Sequence, residues 1–202
     1  ESMDWVRTLR LLDDPDVKGN WQQHMNNSWC RFTGKFADRI PTPIKEAWSL
    51  FVQHRARIRR QALVPPLTLC HGDYRLENLF FYESKDDSQL VVFDWQGLIQ
   101  AQGAFDLSYC LILGLEPELR REVEKDLLQN YYAELEKSGV EGYSFEQCYH
   151  SYRVTLYDLI LTRLVGLGNF LDVSDDQAQA LFSTFLAKTN EAIIDYPIAD
   201  LI

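Results

Sequence analysis

Apolar positions recur at helical spacing through the first third of the chain. Trp21, Met25, Trp29, Phe32 and Phe36 step by three or four residues and form one stripe. Thr42 is placed to cap a second helix with Pro43 in its first turn, and Ile44, Ala47, Trp48, Phe51 and Val52 make its buried face. Pro65 and Pro66 close this helical region. The pattern then changes. Residues 67–70 form a short extended run, and residues 79–82 and 90–93 read as two strands joined by the polar stretch 83–89, as in a hairpin. Helical spacing returns afterwards. Leu119, Val123, Leu127, Tyr131 and Leu135 predict a helix that Gly139 ends. Ser144 with Gln147 makes a capping box ahead of Leu156, Leu159, Ile160 and Leu164. Ser174 with Gln177 makes a second one ahead of Ala178, Leu181, Phe182, Phe185 and Leu186. The fold class is α+β, mostly α: a helical part over 1–66, a small β insert with its loops over 67–109, and a second helical part over 110–202.

Composition narrows what such a chain does. Of 202 residues, 46% are hydrophobic and 25% charged, the balance of a soluble globular domain. The net charge of −10 gives no footprint for nucleic acid and suits metal ions or a cationic substrate. Cys30, Cys70, Cys110 and Cys148 stand singly, without a C-x-x-C pair, as reduced thiols in a cytoplasmic protein do. No apolar run is long enough for a membrane span.

Chemistry concentrates on the insert. Gly72 permits a tight turn that carries Asp73, Asn78 sits where the first hairpin strand begins, and Asp94 follows the second strand directly. A hairpin brings Asn78 and Asp94 together with Asp73 nearby. An amide oxygen and a carboxylate are hard ligands of the kind Mg²⁺ takes, and a separate carboxylate can accept a hydroxyl proton. A metal clamp beside a base is the equipment of phosphoryl transfer.

The run His71-Gly72-Asp73-x-x-x-x-Asn78, followed by a strand ending in Asp94-Trp95-Gln96, resembles the catalytic and metal loops of the aminoglycoside phosphotransferase superfamily. Choline kinases and ecdysteroid kinase-like proteins share that fold. Gly103-Ala104-Phe105-Asp106-Leu107-Ser108-Tyr109 resembles a third segment of the family. The resemblance implies a protein-kinase-like C-terminal lobe and transfer of the γ-phosphate of ATP to a small-molecule hydroxyl with Mg²⁺. It implies Asp73 as the catalytic carboxylate, Asn78 and Asp94 as metal ligands, and His71 and Asp106 as braces of the loop. Arg75 is assigned either a phosphate contact or a structural ion pair.

The resemblance also sets an expectation of what is missing. No glycine-rich phosphate loop and no strand-borne lysine precede residue 69, so the ATP-gripping N-terminal lobe is expected to be absent from these 202 residues. The apolar face that meets such a lobe is then a surface for self-association. Two rival functions follow: a kinase-derived non-catalytic binding module, and a metal-dependent hydrolase built on His71, Asp73 and Asp94. The hydrolase is the weaker, since His24, His54 and His150 lie singly in helical stretches. The basic run over residues 54–60 reads as a solvated helix end rather than an anion site. Asp172, Asp175 and Asp176 read as charges at a helix start.

Overall fold

Helices carry most of the chain in the computed structural model, which describes residues 7–8, 15–83, 88–171 and 174–202. Side chains are described for 22–82, 89–168, 170–171 and 174–202. A two-residue strand β1 (Arg7–Thr8) precedes helices α1 (Pro15–Phe36) and α2 (Thr42–Ala62). The insert holds β2 (Thr68–Cys70), the hairpin β3 (Leu79–Glu83) and β4 (Ser88–Val92), and β5 (Ile99–Ala101). Then come α3 (Ala104–Gly114), α4 (Pro117–Lys137), α5 (Phe145–Thr155), a π-helical stretch (Leu156–Leu161), α6 (Thr162–Phe170) and α7 (Asp176–Asp195).

Strand β5 lies between β1, to which it is parallel, and β2, to which it is antiparallel. Its three residues are too few for their alternation to be read as a pattern, and pairing with β1 and β2 makes them a strand. Strands β3 and β4 pair separately, with Leu79 opposite Val92 and Glu83 opposite Ser88. Residues 84–87 of the joining stretch lie outside the described residues. The hairpin stands away from the helices: Phe80, Phe81, Tyr82, Leu90 and Val91 are all exposed.

The predicted stripe on α1 is core. Met25, Phe32 and Phe36 are buried, Trp29 stacks on Trp48 of α2 with ring centroids 5.0 Å apart, and Phe36 stacks on Phe182 of α7 at 4.5 Å. The side chain of Trp21 lies outside the described residues. Gly168 lets α6 close on α1, because a Cβ there would stand 2.4 Å from the Phe32 ring. Ser144 and Gln147 form the expected capping box.

Several expectations need correcting. Thr42 is the first helical residue and Pro41 the cap. Asp175, not Ser174, caps α7, accepting from the amides of Gln177 and Ala178, and Asp176 opens the helix; Asp172 lies outside the described residues. On α4, Tyr131 and Leu135 of the stripe pack on the core, but Leu119 and Leu127 are exposed and the fully buried positions are offset by one residue to Arg120, Glu124 and Leu128. The offset is held by a charged network. Arg120 donates to Glu124 at 2.9 Å and to Asp195, and Glu124 also accepts from Tyr152 at 2.8 Å and from Tyr196. On α2, Arg55 and Arg59 are buried while Arg57 and Arg60 are exposed, so the basic run is only in part a solvated end. Arg59 pairs with Asp158 of the π stretch at 2.8 Å.

Buried Cys70 and Cys148 are free thiols, Cys110 is half-buried and Cys30 exposed. No helix among the described residues is long and apolar enough to cross a membrane.

Removing one member of a buried charged network leaves its partners uncompensated. Arg120→Ala is therefore expected to cost about 3–5 kcal/mol in urea unfolding, against under about 0.5 kcal/mol for Arg57→Ala on the exposed side of α2. Equal costs would contradict the network's role.

Candidate active site

Two loops meet at the foot of the hairpin, and one carboxylate sets their approach. Asp106, in the first turn of α3, accepts from the His71 amide at 2.6 Å and from the Gly72 amide at 3.0 Å. Burial pushes its carboxyl above the usual carboxylate range, while the two amides, His71 and Arg163 pull the other way. Gly72 adopts a left-handed φ of +80°, and a Cβ on it would stand 2.0 Å from the carbonyl oxygen of Gly97. Glycine is thus required twice over at this crossing of the 71–78 and 94–97 loops.

His71 fastens the two loops further. Its Nδ1 accepts from the Asp73 amide at 3.2 Å, which makes the ring's other nitrogen the donor, and Nε2 reaches the Phe93 carbonyl at 2.9 Å. The Phe93 amide in turn donates to the carbonyl of Asn78 at 3.1 Å. Phe93 is therefore held on both sides, and Asp94, the next residue, leaves the hairpin beside Asn78. Asp94 adopts a left-handed φ of +64°, a conformation that Asp and Asn enter more readily than most residues. Its carboxylate is exposed and accepts from Gln96 at 3.4 Å.

Asn78 is buried and donates through Nδ2 to the Asp73 carbonyl at 2.9 Å and more distantly to Asp73 Oδ2 at 3.4 Å. This turns Oδ1 of the planar amide to the opposite side. Asp73 is half-buried, and its Oδ1 accepts from Arg163 of α6 at 2.9 Å. Arg163 also donates to the Gly72 carbonyl and to the Tyr109 hydroxyl, and lies 4.9 Å above the Tyr109 ring. Arg163 was not among the candidates read from the sequence; it stands ninety positions from Asp73 in a helix whose pattern marks only core.

Arg75 is exposed and 3.6 Å from Glu77. Both line a groove of about 430 Å³ that runs from Tyr109 between α3, α6 and α7. Its walls are mainly apolar, with Leu113, Leu167, Leu171, Leu181 and Phe185 among them. Leu181 and Phe185, members of the apolar stripe on α7, are groove wall: Leu181 is exposed and Phe185 half-buried. Lys188 lies in the groove but is tied to the Leu113 carbonyl at 3.2 Å and to Glu116 at 3.0 Å.

Asp73, Asn78, His71 and Asp106 thus form one cluster, Asp94 borders it through the backbone of Phe93, and Arg75 stands apart at the groove's edge. Among the described residues no group of three or more His, Cys, Asp or Glu side chains is placed to hold a metal ion. His150 instead bonds Gln61 at 2.9 Å.

The sequence profile of the ecdysteroid kinase-like family matches residues 12–140, more than half of the chain and the whole of this cluster. The chain belongs to the ecdysteroid kinase-like family. Relatives of this ecdysteroid kinase-like chain include the uncharacterized kinase-like protein D1044.1 of Caenorhabditis elegans, 26% identical over 126 residues. That match covers 62% of the chain and 33% of the relative. The uncharacterized oxidoreductase dhs-27 of the same organism is 30% identical over 80 residues, 37% of the chain and 10% of that protein. The chain thus spans about a third of one relative's length and a tenth of the other's. No solved structure matches it.

The crossing of the two loops makes a test within this ecdysteroid kinase-like chain. Gly72→Ala combines a left-handed backbone with a backbone clash and is expected to cost roughly 2–5 kcal/mol in denaturant unfolding. Gly139→Ala has a comparable φ of +82° with open space around it. It should cost only the conformational part, about 1–2 kcal/mol. Equal losses would mean that the loops do not cross so closely.

Proposed function

We propose that this chain carries the catalytic centre of a small-molecule kinase, which moves the γ-phosphate of ATP to a hydroxyl held in the apolar groove. The observation that carries this reading is the convergence of Asp73, Asn78 and the Asp94 loop beside that groove. Family membership supports a kinase-like phosphotransferase in general. The acceptor's body lies along Leu113, Leu167, Leu171 and Leu181, with its hydroxyl toward Asp73. Asp73 Oδ2, whose contact from Asn78 is long at 3.4 Å, accepts the hydroxyl proton as the acceptor oxygen bonds to phosphorus and the bond to the ADP oxygen breaks. Asn78 Oδ1 and the Asp94 carboxylate are hard oxygen donors on adjacent backbone, a set that fits Mg²⁺. Bound there, Mg²⁺ would offset the negative charge of the phosphates. His71 and Asp106 keep the two loops in register.

The groove favours an uncharged, largely apolar alcohol over a cationic one. Its anion Glu77 is paired to Arg75 and its cation Lys188 to Glu116, so its charges are matched and apolar area dominates. A hydroxylated sterol-like body, as the family's name suggests, fits that description. A non-catalytic binding module would use the same groove without needing Asp73.

The decisive variant is Asp73→Asn in the full-length protein. Phosphoryl transfer from Mg-ATP to a hydroxylated steroid or long-chain alcohol should fall on the order of 10²–10⁴-fold while the melting temperature stays put. Undiminished transfer would sink the assignment. Leu181→Glu, at an exposed groove position, should raise the acceptor's KM by roughly tenfold or more and leave stability nearly unchanged. A KM that does not move would place the acceptor elsewhere.

A further inference from the structure

Arg163 lies outside the motifs that carry the family resemblance, yet it bonds the side chain of Asp73, the proposed base, at 2.9 Å. We propose that Arg163 is a positioning residue that fixes the Asp73 carboxylate, and that the π-helical stretch before it aims it there. This rests on the kinase reading above. Arg163 engages Asp73 Oδ1 at 2.9 Å, the Gly72 carbonyl and the Tyr109 hydroxyl at 3.1 Å, while its guanidinium lies over the Tyr109 ring. Three acceptors in different directions and a ring face leave the planar guanidinium a single orientation. With Oδ1 held, the carboxylate cannot rotate freely, and Oδ2 is the oxygen presented. Tyr109 also lines the groove, so one side chain couples the groove wall to the base.

The aim comes from the backbone. A π turn holds one more residue than an α turn, and each residue of an α-helix advances about 100°. The stretch Leu156–Leu161 therefore turns everything after it relative to an unbroken continuation of α5. Arg163 is the second residue of α6, directly beyond that offset. The stretch is itself pinned: all six of its residues are buried, and its Asp158 pairs with buried Arg59 of α2 at 2.8 Å. The chain thus commits a buried ion pair to a helix irregularity that ends two residues before the side chain that grips Asp73.

The test uses the full-length protein with Mg-ATP and water as the acceptor, so that ATP hydrolysis is read without knowing the natural alcohol. Asp73→Asn defines the Asp73-dependent part of the rate. In Arg163→Met that part should fall about 10- to 100-fold in kcat, the scale of a misoriented reacting group, with KM for Mg-ATP within about twofold. Arg163→Lys should recover part of the loss, since an ammonium can hold Oδ1 but lacks the planar fork that also reaches the Gly72 carbonyl and the Tyr109 hydroxyl. An Asp73-dependent kcat that is unchanged in Arg163→Met overturns the positioning role and leaves the kinase reading standing. So does a loss in Arg163→Met that appears only as a lower melting temperature, with Arg163→Lys no better. Should Arg163→Met fail to fold, Arg163→Lys decides: a lowered kcat at constant KM supports the role, and a wild-type kcat overturns it. Wild-type hydrolysis no faster than Asp73→Asn overturns the kinase reading, and the positioning role with it.

Discussion

The carboxylate of Asp106, bonded to two consecutive backbone amides, is the interaction on which the candidate site depends. A carboxylate drawn partly out of water is costly unless its lone pairs are met, and here the His71 and Gly72 amides meet them at 2.6 and 3.0 Å. Because α3 carries Asp106 on its first turn, those bonds nail the loop to a helix end. His71 then has a fixed place from which its ring joins the Asp73 amide to the Phe93 carbonyl. One anchor therefore sets the position of Asp73 directly and that of Asp94 at second hand. Gly72 and Gly97 make the arrangement sterically feasible, since any side chain at Gly72 would occupy the space of the Gly97 carbonyl.

From that anchor the chemistry follows a division of labour. In the proposed reading, the loops between strands hold the groups that would face a reacting phosphate, while α3, α6 and α7 supply an apolar groove and, through Tyr109 and Arg163, its link to Asp73. The helices are in turn fixed by polar contacts that a simple oily core would not need. Arg120 with Glu124 and Asp195 joins α4 to α7, and Arg59 with Asp158 joins α2 to the π stretch. Such pairs contribute little net stability compared with apolar packing, but breaking one is expensive, so they favour one alignment of helices over others.

Much of this was legible in the chain, and the rest was hidden for identifiable reasons. Helices with a one-sided stripe, such as α1 and α2, follow directly from spacing, because burial of one face leaves a period. Asp73, Asn78 and Asp94 were readable as candidates because their positions are local: a turn, a strand start and a strand end. Arg163 was not, since its meaning depends on a contact ninety residues away and on a π turn that leaves no mark in a run of buried residues. The stripe on α7 was legible, but not that its Leu181 and Phe185 line a groove, because hydropathy does not distinguish a core wall from a groove wall. Helix α4 followed from its stripe, of which Tyr131 and Leu135 pack on the core, but buried Arg120 and Glu124 read as surface until their partners on other helices are known. Strand β5 is too short to show alternation and exists through its neighbours.

The central claim is that the two loops act as one phosphate-handling centre at the end of the groove. A crystal structure of the full-length protein with Mg²⁺ and a non-hydrolysable ATP analogue tests it most directly. The account predicts a Mg²⁺ ion contacted by Asn78 Oδ1 and an Asp94 carboxylate oxygen at about 2.0–2.1 Å, with the terminal phosphate facing Asp73. A nucleotide bound away from this cleft, or a metal held without either residue, would contradict it.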